Sequence, residues 1–182
     1  MRKGMRQEMP HSRGTVKKTC FGEIVIRRAG ISDVPEMCGL LKELFSMESD
    51  FEPEPEKQGK GLGALINARN SALVLVAEKG GRVLGMCSVQ ILISTAEGGR
   101  VGLLEDLVVR SGARGAGIGS ALLSEALKWC AFKGLLRVQL LRDESNSAAL
   151  GFYTNRGWSG THLVCMRKGL RYRRAFQMLK WK

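Results

Sequence analysis

The chain has 182 residues, 44% of them hydrophobic, and a formal net charge of +12. That length and apolar content suit one globular domain with a real core and argue against disorder. The longest apolar runs, such as residues 73–77, fall far short of the roughly 20 residues of a membrane span, and no apolar stretch follows the basic residues at the start, so no secretory signal is read.

The five cysteines are widely spaced without a C-x-x-C pair, and there are two histidines. This speaks against a zinc site, or any other metal site, and against a disulfide framework; it fits a reducing, cytoplasmic compartment. Cys87, Cys130 and Cys165 are expected to be small buried hydrophobes. The charge lies at the ends. Residues 1–23 carry six Lys/Arg against two Glu, and residues 166–182 carry seven Lys/Arg and no acid, whereas residues 24–165 are nearly balanced. The sequence therefore divides into a basic arm (1–22), a domain (23–169) and a basic tail (170–182). Basic ends are solvated, or they bind nucleic acid, anionic lipid or an acidic partner.

The elements follow in chain order. Residues 23–28 alternate as a first strand. Ser32 is a suitable N-cap, and Pro35 lies in the first turn of a helix carrying Val34, Met37, Leu40, Leu41, Leu44 and Phe45 at three- and four-residue spacing. Residues 48–56 hold five carboxylates and two prolines and read as a loop, with a helix near residues 61–70 after it. Residues 72–78 form a strand, Gly80-Gly81 a hairpin turn, residues 83–94 the return strand with Gly85 a potential bulge, and Gly98-Gly99 a second turn into a long strand over residues 101–109.

The strand over 101–109 runs into Arg114-Gly115-Ala116-Gly117-Ile118-Gly119 and then into an amphipathic helix through residue 130, with Ile118, Ala121, Leu122, Leu127 and Trp129 on its apolar face. A glycine-rich turn from strand to helix N-terminus aims free N–H groups at one point, and the helix dipole adds positive charge. That is a phosphate site. The spacing matches neither G-x-G-x-x-G nor G-x-x-x-x-G-K-[ST], so dinucleotide and P-loop readings fail. Residues 135–141 then form a strand parallel to the 104–109 strand. Asn146 caps a short helix that Gly157 ends. Residues 161–167 read as a last strand.

Arg-x-x-Gly-x-Gly between a Val-rich strand and an amphipathic helix resembles the acyl-CoA pyrophosphate loop of the GNAT superfamily of N-acyltransferases. The run Asn146, Ala149, Phe152-Tyr153, Gly157-Trp158 is similar to its second signature, and the opening strand with Ala29-x-x-Ser32-Asp33 fits its beginning. The resemblance spans residues 23–168. It implies an α+β fold: a central mixed, mostly antiparallel sheet of six to seven strands, flanked by about four helices and splayed between its two parallel strands. It also implies acetyl-CoA as co-substrate and transfer of the acetyl group to a primary amine by direct attack in a ternary complex.

On this resemblance the pyrophosphate falls to Arg114, Gly115, Ala116, Gly117, Ile118, Gly119 and Ser120. The thioester carbonyl falls to backbone N–H groups of the segment Leu107, Val108, Val109, and the pantetheine arm to Asn146. Tyr153 is the acid for the leaving thiolate and a CoA contact; a phenol near pKa 10 suits that role. The base is Glu105, which a period of two places with Leu107 and Val109, Asp106 pointing away as the lesser candidate, or else a water chain takes the proton. Glu48, Asp50 and Phe51 of the acidic loop flank the acceptor cleft, where carboxylates attract a cationic amine. Three readings stay open: a small-molecule acetyltransferase, an enzyme acting on protein N-termini or lysines, and a CoA-binding regulatory module without turnover. A homodimer pairing through the last strand is expected.

Overall fold

A computed structural model of the protein describes residues 14–20, 22–48 and 50–170. Six strands form one sheet in sequential order: β1 (Thr15–Thr19), β2 (Gly22–Arg28), β3 (Ala72–Lys79), β4 (Arg82–Ser94), β5 (Gly99–Val109) and β6 (Val138–Leu140). All neighbours are antiparallel except β5 and β6. Four α-helices accompany them: α1 (Val34–Phe45), α2 (Pro55–Asn67), α3 (Ile118–Phe132) and α4 (Ser147–Thr154). The chain clusters into two compact units, residues 1–143 and 144–182. Among the described residues no helix is long and apolar enough to cross a membrane.

The tight turns obey local chemistry. Gly80 and Gly81 both take positive φ, 57° and 80°, and join Lys79 to Arg82 as a two-residue hairpin. The apolar stripe of α1 buries Met37, Leu40 and Leu41 against Leu62 and Ile66 of α2 and against Val74, Val76, Val83, Met86 and Val108 of the sheet. Cys87, next to Met86 and so on the other face, has its Sγ 3.9 Å from the Leu122 carbonyl of α3. Helix α3 therefore covers the opposite face, with Leu122, Ala126 and Trp129 fully buried.

Several expectations need correction. Residues 15–19 of the basic arm are a strand: Thr15–Thr19 pairs antiparallel with Ile26–Gly22. Lys17 is anchored 3.3 Å from Glu125, a carboxylate of α3 that is only 3% exposed. Residues 1–13 and 171–182, the rest of the arm and nearly all of the tail, lie outside the described residues. Helix α2 starts at Pro55 rather than near residue 61, because proline at the first helical position has no N–H to lose. Residues 161–167 enter no ladder, and Leu163, Val164 and Met166 are 85–91% exposed; strand propensity makes no strand without a neighbour to pair with. Cys165, in that segment, is exposed, whereas Cys87 and Cys130 are buried. Burial raises both thiols, Cys130 to about 11.

Candidate active site

Three features converge at the end of β5. The first is the divergence of the parallel pair. The β5–β6 ladder covers only Gly102, Leu103 and Leu104 against Val138, Gln139 and Leu140. Beyond Leu104, β5 runs on to Val109 without β6, so Leu107, Val108 and Val109 stand where the sheet has opened, as expected.

The second is the loop. After Val109 a single 3-10 turn, Ser111–Ala113, leads to Arg114, and Gly115 and Gly117 adopt left-handed φ of 76° and 80°. Gly117 is the N-cap of α3, so the helix begins at Ile118 and includes Gly119 and Ser120 in its first turn. A Cβ on Gly115 or Gly117 would meet no atom within 4 Å. Packing does not demand these glycines; the backbone conformation does, and it leaves their surface open to a ligand. Ala116 is buried beneath the loop. Arg114 donates from Nε to the Val109 carbonyl at 3.0 Å, and its Nη1 lies 3.7 Å from Met47 Sδ. The loop thus has the open N–H surface and the guanidinium that an acyl-CoA pyrophosphate requires.

The third is a β-bulge, which the sequence does not show. Ser88 pairs with Glu105, but Met86 pairs with Val108, so Asp106 and Leu107 together oppose Cys87. Asp106 has φ 54°, the one non-glycine residue with positive φ among those described. The inserted residue breaks the alternation: Leu104 pairs with Val89 and Val108 with Met86, partners on opposite faces of β4, although both have even numbers. The expectation that Asp106 points away from Glu105 is therefore wrong. Ser88 Oγ lies within reach of both the Glu105 carbonyl at 3.3 Å and Asp106 Oδ2 at 3.5 Å, with one proton to share between them, while Gln90 Nε2 donates to Glu105 Oε2 at 2.6 Å.

The electrostatics follow. Burial, with the charges of Glu105 and Glu48 added, raises the Asp106 carboxyl to about 6, despite the opposing Ser88 hydrogen bond. Burial also raises Glu48, helped by the charges of Asp143 and Asp50. Glu48 is thus joined electrostatically to the β5 carboxylates, while Asp50 and Phe51 are exposed, with the Phe51 ring 5.3 Å from that of Phe45 on α1. Sequence reasoning did not single out Ser88 and Gln90, which contact these two carboxylates. No local signal announces them, because a bulge is a property of two paired strands.

Asn146 and Tyr153 belong to the second unit. Asn146 Oδ1 accepts the Ala149 N–H at 2.9 Å and caps α4, the plain structural role. Tyr153 is half-buried, edge-on to Phe152 at 5.1 Å and tilted against Trp158 at 5.5 Å.

Comparison with known proteins shows the family. The sequence model described as "Acetyltransferase (GNAT) family" matches residues 35–158. The chain is 30% identical over 139 residues to the glucosamine 6-phosphate N-acetyltransferase of Trypanosoma brucei brucei, an alignment covering 74% of this chain and 86% of that protein. Among solved structures, a Trypanosoma brucei acetyltransferase superposes with a TM-score of 0.63 at 28% identity, covering 81% of this chain and 99% of that one. A possible acetyltransferase from Clostridium difficile 630 shares the fold, with a TM-score of 0.71 at 17% identity over 82% of this chain and 99% of that one. With the opened β5 end, the glycine loop on α3 and a match spanning most of the domain, the chain belongs to the GNAT family of acetyltransferases.

Proposed function

We propose that this acetyltransferase transfers an acetyl group from acetyl-CoA to a primary amine on a small cationic molecule, by direct attack within a ternary complex. One observation carries the reading: β5 parts from β6 just before it delivers the chain to a glycine loop whose open, left-handed backbone starts α3. The thioester supplies the activated acyl group. Backbone N–H groups of Gly115, Ala116, Gly117, Ile118, Gly119 and Ser120, with Arg114, hold the pyrophosphate. The Leu107 to Val109 backbone polarises the thioester carbonyl. Asn146 bonds the pantetheine arm. Tyr153 protonates the departing sulfur.

The amine must lose a proton before it can attack. Glu105, fixed by Gln90, is the proposed base. A second reading gives the role to Asp106, favoured by the bulge that turns its carboxylate to the Ser88 side and by a titration near 6, close to the operating range of a general base. The acceptor class follows from charge. Glu48, Asp50 and Phe51 form the entrance, and the 48–56 loop adds Glu52, Glu54 and Glu56; the last two pair with Lys57 and Lys60 at 2.9 and 2.7 Å. Such a rim favours a cation and repels a phosphate dianion, so the glucosamine 6-phosphate of the trypanosomal relative's name is expected to be a poor substrate here.

The test is a thiol-release assay with acetyl-CoA on a panel of polyamines, aminoglycosides, free amino sugars and glucosamine 6-phosphate. Turnover of cationic amines, lost in Glu105→Gln or Asp106→Asn, supports the reading; no release with any amine sinks it. The exposed Leu163, Val164 and Met166 support a homodimer paired through this segment. Light scattering that finds a strict monomer refutes it.

A further inference from the structure

The phosphate loop does not stand on β5 alone. Helix α1 presents Glu36, Leu40 and Glu43 at helical spacing, with Met47 just past its end, and the two carboxylates on this stripe reach across to the segment that launches the loop. Glu43 Oε2 accepts the Ser111 N–H at 2.9 Å, the first N–H of the turn preceding Arg114. Glu43 Oε1 lies 3.6 Å from Arg110 Nη1. Arg110 donates from Nε and Nη2 to the Val83 carbonyl at 3.4 and 3.2 Å, and its own N–H goes to the Leu84 carbonyl at 2.8 Å. Glu36 Oε2 then accepts the Val83 N–H at 3.0 Å and lies 3.8 Å from Arg110 Nη2. The ring is closed: α1 to β4, β4 to Arg110, Arg110 and Ser111 back to α1.

Its members are well placed to hold rather than to react. Both Glu43 and Arg110 side chains are 28% exposed, enough burial to hold a charge-assisted geometry. One turn on, the same helix end meets the loop again through Met47 and Arg114. An open, shallow depression between them is lined by Lys42, Glu43, Ser46, Met47, Ser111 and Arg114. The turn itself has few internal ties: Ala113 N–H to the Arg110 carbonyl at 2.8 Å and Arg114 N–H to the Ser111 carbonyl at 3.4 Å. Further constraint on residues 110–114 comes from α1 and β4, beside the Arg114 Nε bond to the Val109 carbonyl.

We propose that Glu43 is a positioning residue for acetyl-CoA, acting through the Ser111 N–H and the Arg110 guanidinium to pre-set the loop that receives the pyrophosphate. This rests on the functional reading above. Preorganisation of a binding loop shows in cofactor affinity, not in the chemical step.

The experiment measures acetyl-CoA binding by calorimetry, steady-state kinetics and thermal melting on full-length wild type, Glu43→Ala, Glu43→Gln and Glu43→Asp, with amide exchange at Ser111. Glu43→Ala is expected to weaken acetyl-CoA about tenfold in Kd and KM, as loss of one charge-assisted hydrogen bond would, leaving kcat and the KM for the amine within about twofold. Glu43→Gln keeps an oxygen for the Ser111 N–H and recovers most of the loss. Glu43→Asp, which folds readily but withdraws the carboxylate by one methylene, speeds Ser111 exchange and weakens binding several-fold. A folded Glu43→Ala with wild-type acetyl-CoA affinity overturns the proposal, as does a Glu43→Asp with unchanged exchange and affinity. If wild type binds no acetyl-CoA, the functional reading fails instead, and the Ser111 exchange still reports whether the joint exists.

Discussion

At the scale of single residues, Asp106 carries the largest consequence. Its carboxyl titrates near 6 because the fold buries it beside Glu105 and Glu48, so the folded state binds its proton more tightly than the unfolded chain. That sign fixes a prediction. Stability is lost as pH rises from the ordinary aspartate value of 3.8 toward 6, and above 6 the buried charge is a standing penalty. Asp106→Asn should therefore gain on the order of 3 kcal/mol at pH 8, with no gain at pH 3, by denaturant unfolding at both pH values. If Asp106 is the base, the same variant loses activity, and wild-type activity falls as pH drops through about 6. A variant that gains stability and keeps its rate returns the role to Glu105. Gly117 makes the second prediction at this scale. Its φ of 80° and the open space over it mean that Gly117→Glu strains the backbone by roughly 1 kcal/mol and sets a carboxylate where the pyrophosphate should lie. The protein should still fold, and calorimetry should find acetyl-CoA binding abolished.

At the scale of elements, α1 is fixed to the sheet at its start as well as through the ring at its end. Arg27 of β2 donates to both Asp33 oxygens at 2.7 and 2.8 Å and to Glu78 of β3 at 2.7 Å, while Asp33 also accepts the Gly30 N–H at 2.7 Å. The Arg27 hydrogen bonds hold the Asp33 carboxyl below its ordinary range against the opposing effect of burial. Asp33→Asn should lose about 2 kcal/mol at pH 7. The sign here is opposite to that of Asp106: the contribution is complete above the ordinary value of 3.8 and vanishes as pH falls through the lower folded value, so wild type and variant should converge in acid unfolding. Across the sheet, Leu122 of α3 is fully buried, and its Cδ1 would lie 3.2 Å from a Cβ on Gly85. Leu122→Ala should cost about 3 kcal/mol by urea denaturation, transfer and cavity terms together.

At the scale of the molecule, the charge of +12 belongs to the ends. Removing residues 1–13 and 171–182 takes away eight net positive charges and no described element. Activity on a small cationic amine should survive that truncation, because the proposed acceptor entrance, Glu48, Asp50 and Phe51, is untouched. Cutting at residue 22 is a different experiment. It deletes β1 and leaves Glu125, 3% exposed, with Lys128 but without Lys17. Thermal melting should show a clear loss for the longer cut and little for the shorter. If the shorter cut alone abolishes turnover of small amines, the ends take part in acceptor recognition and a macromolecular target becomes the better reading.

Local chemistry determined much of this protein before any fold was known. Glycine pairs marked the hairpins, the three- and four-residue spacing from Val34 to Phe45 marked α1, and the order strand, glycine loop and helix around Gly115 and Gly117 marked the loop proposed to hold the cofactor, because φ preference and apolar periodicity act over a few residues. Tertiary structure decided the rest. The bulge that brings Asp106 beside Ser88, the pairing that turns Thr15–Thr19 into a strand, the failure of residues 161–167 to become one, and the reach of Glu43 to Ser111 all depend on a second segment to pair with, whether just across a hairpin, as Gly22–Ile26 is for Thr15–Thr19, or 68 residues away, as Ser111 is from Glu43. Register between strands is set by how two faces pack, and one inserted residue reverses every side chain beyond it. A period-two reading of β5 is sound up to Glu105 and fails after it for that reason.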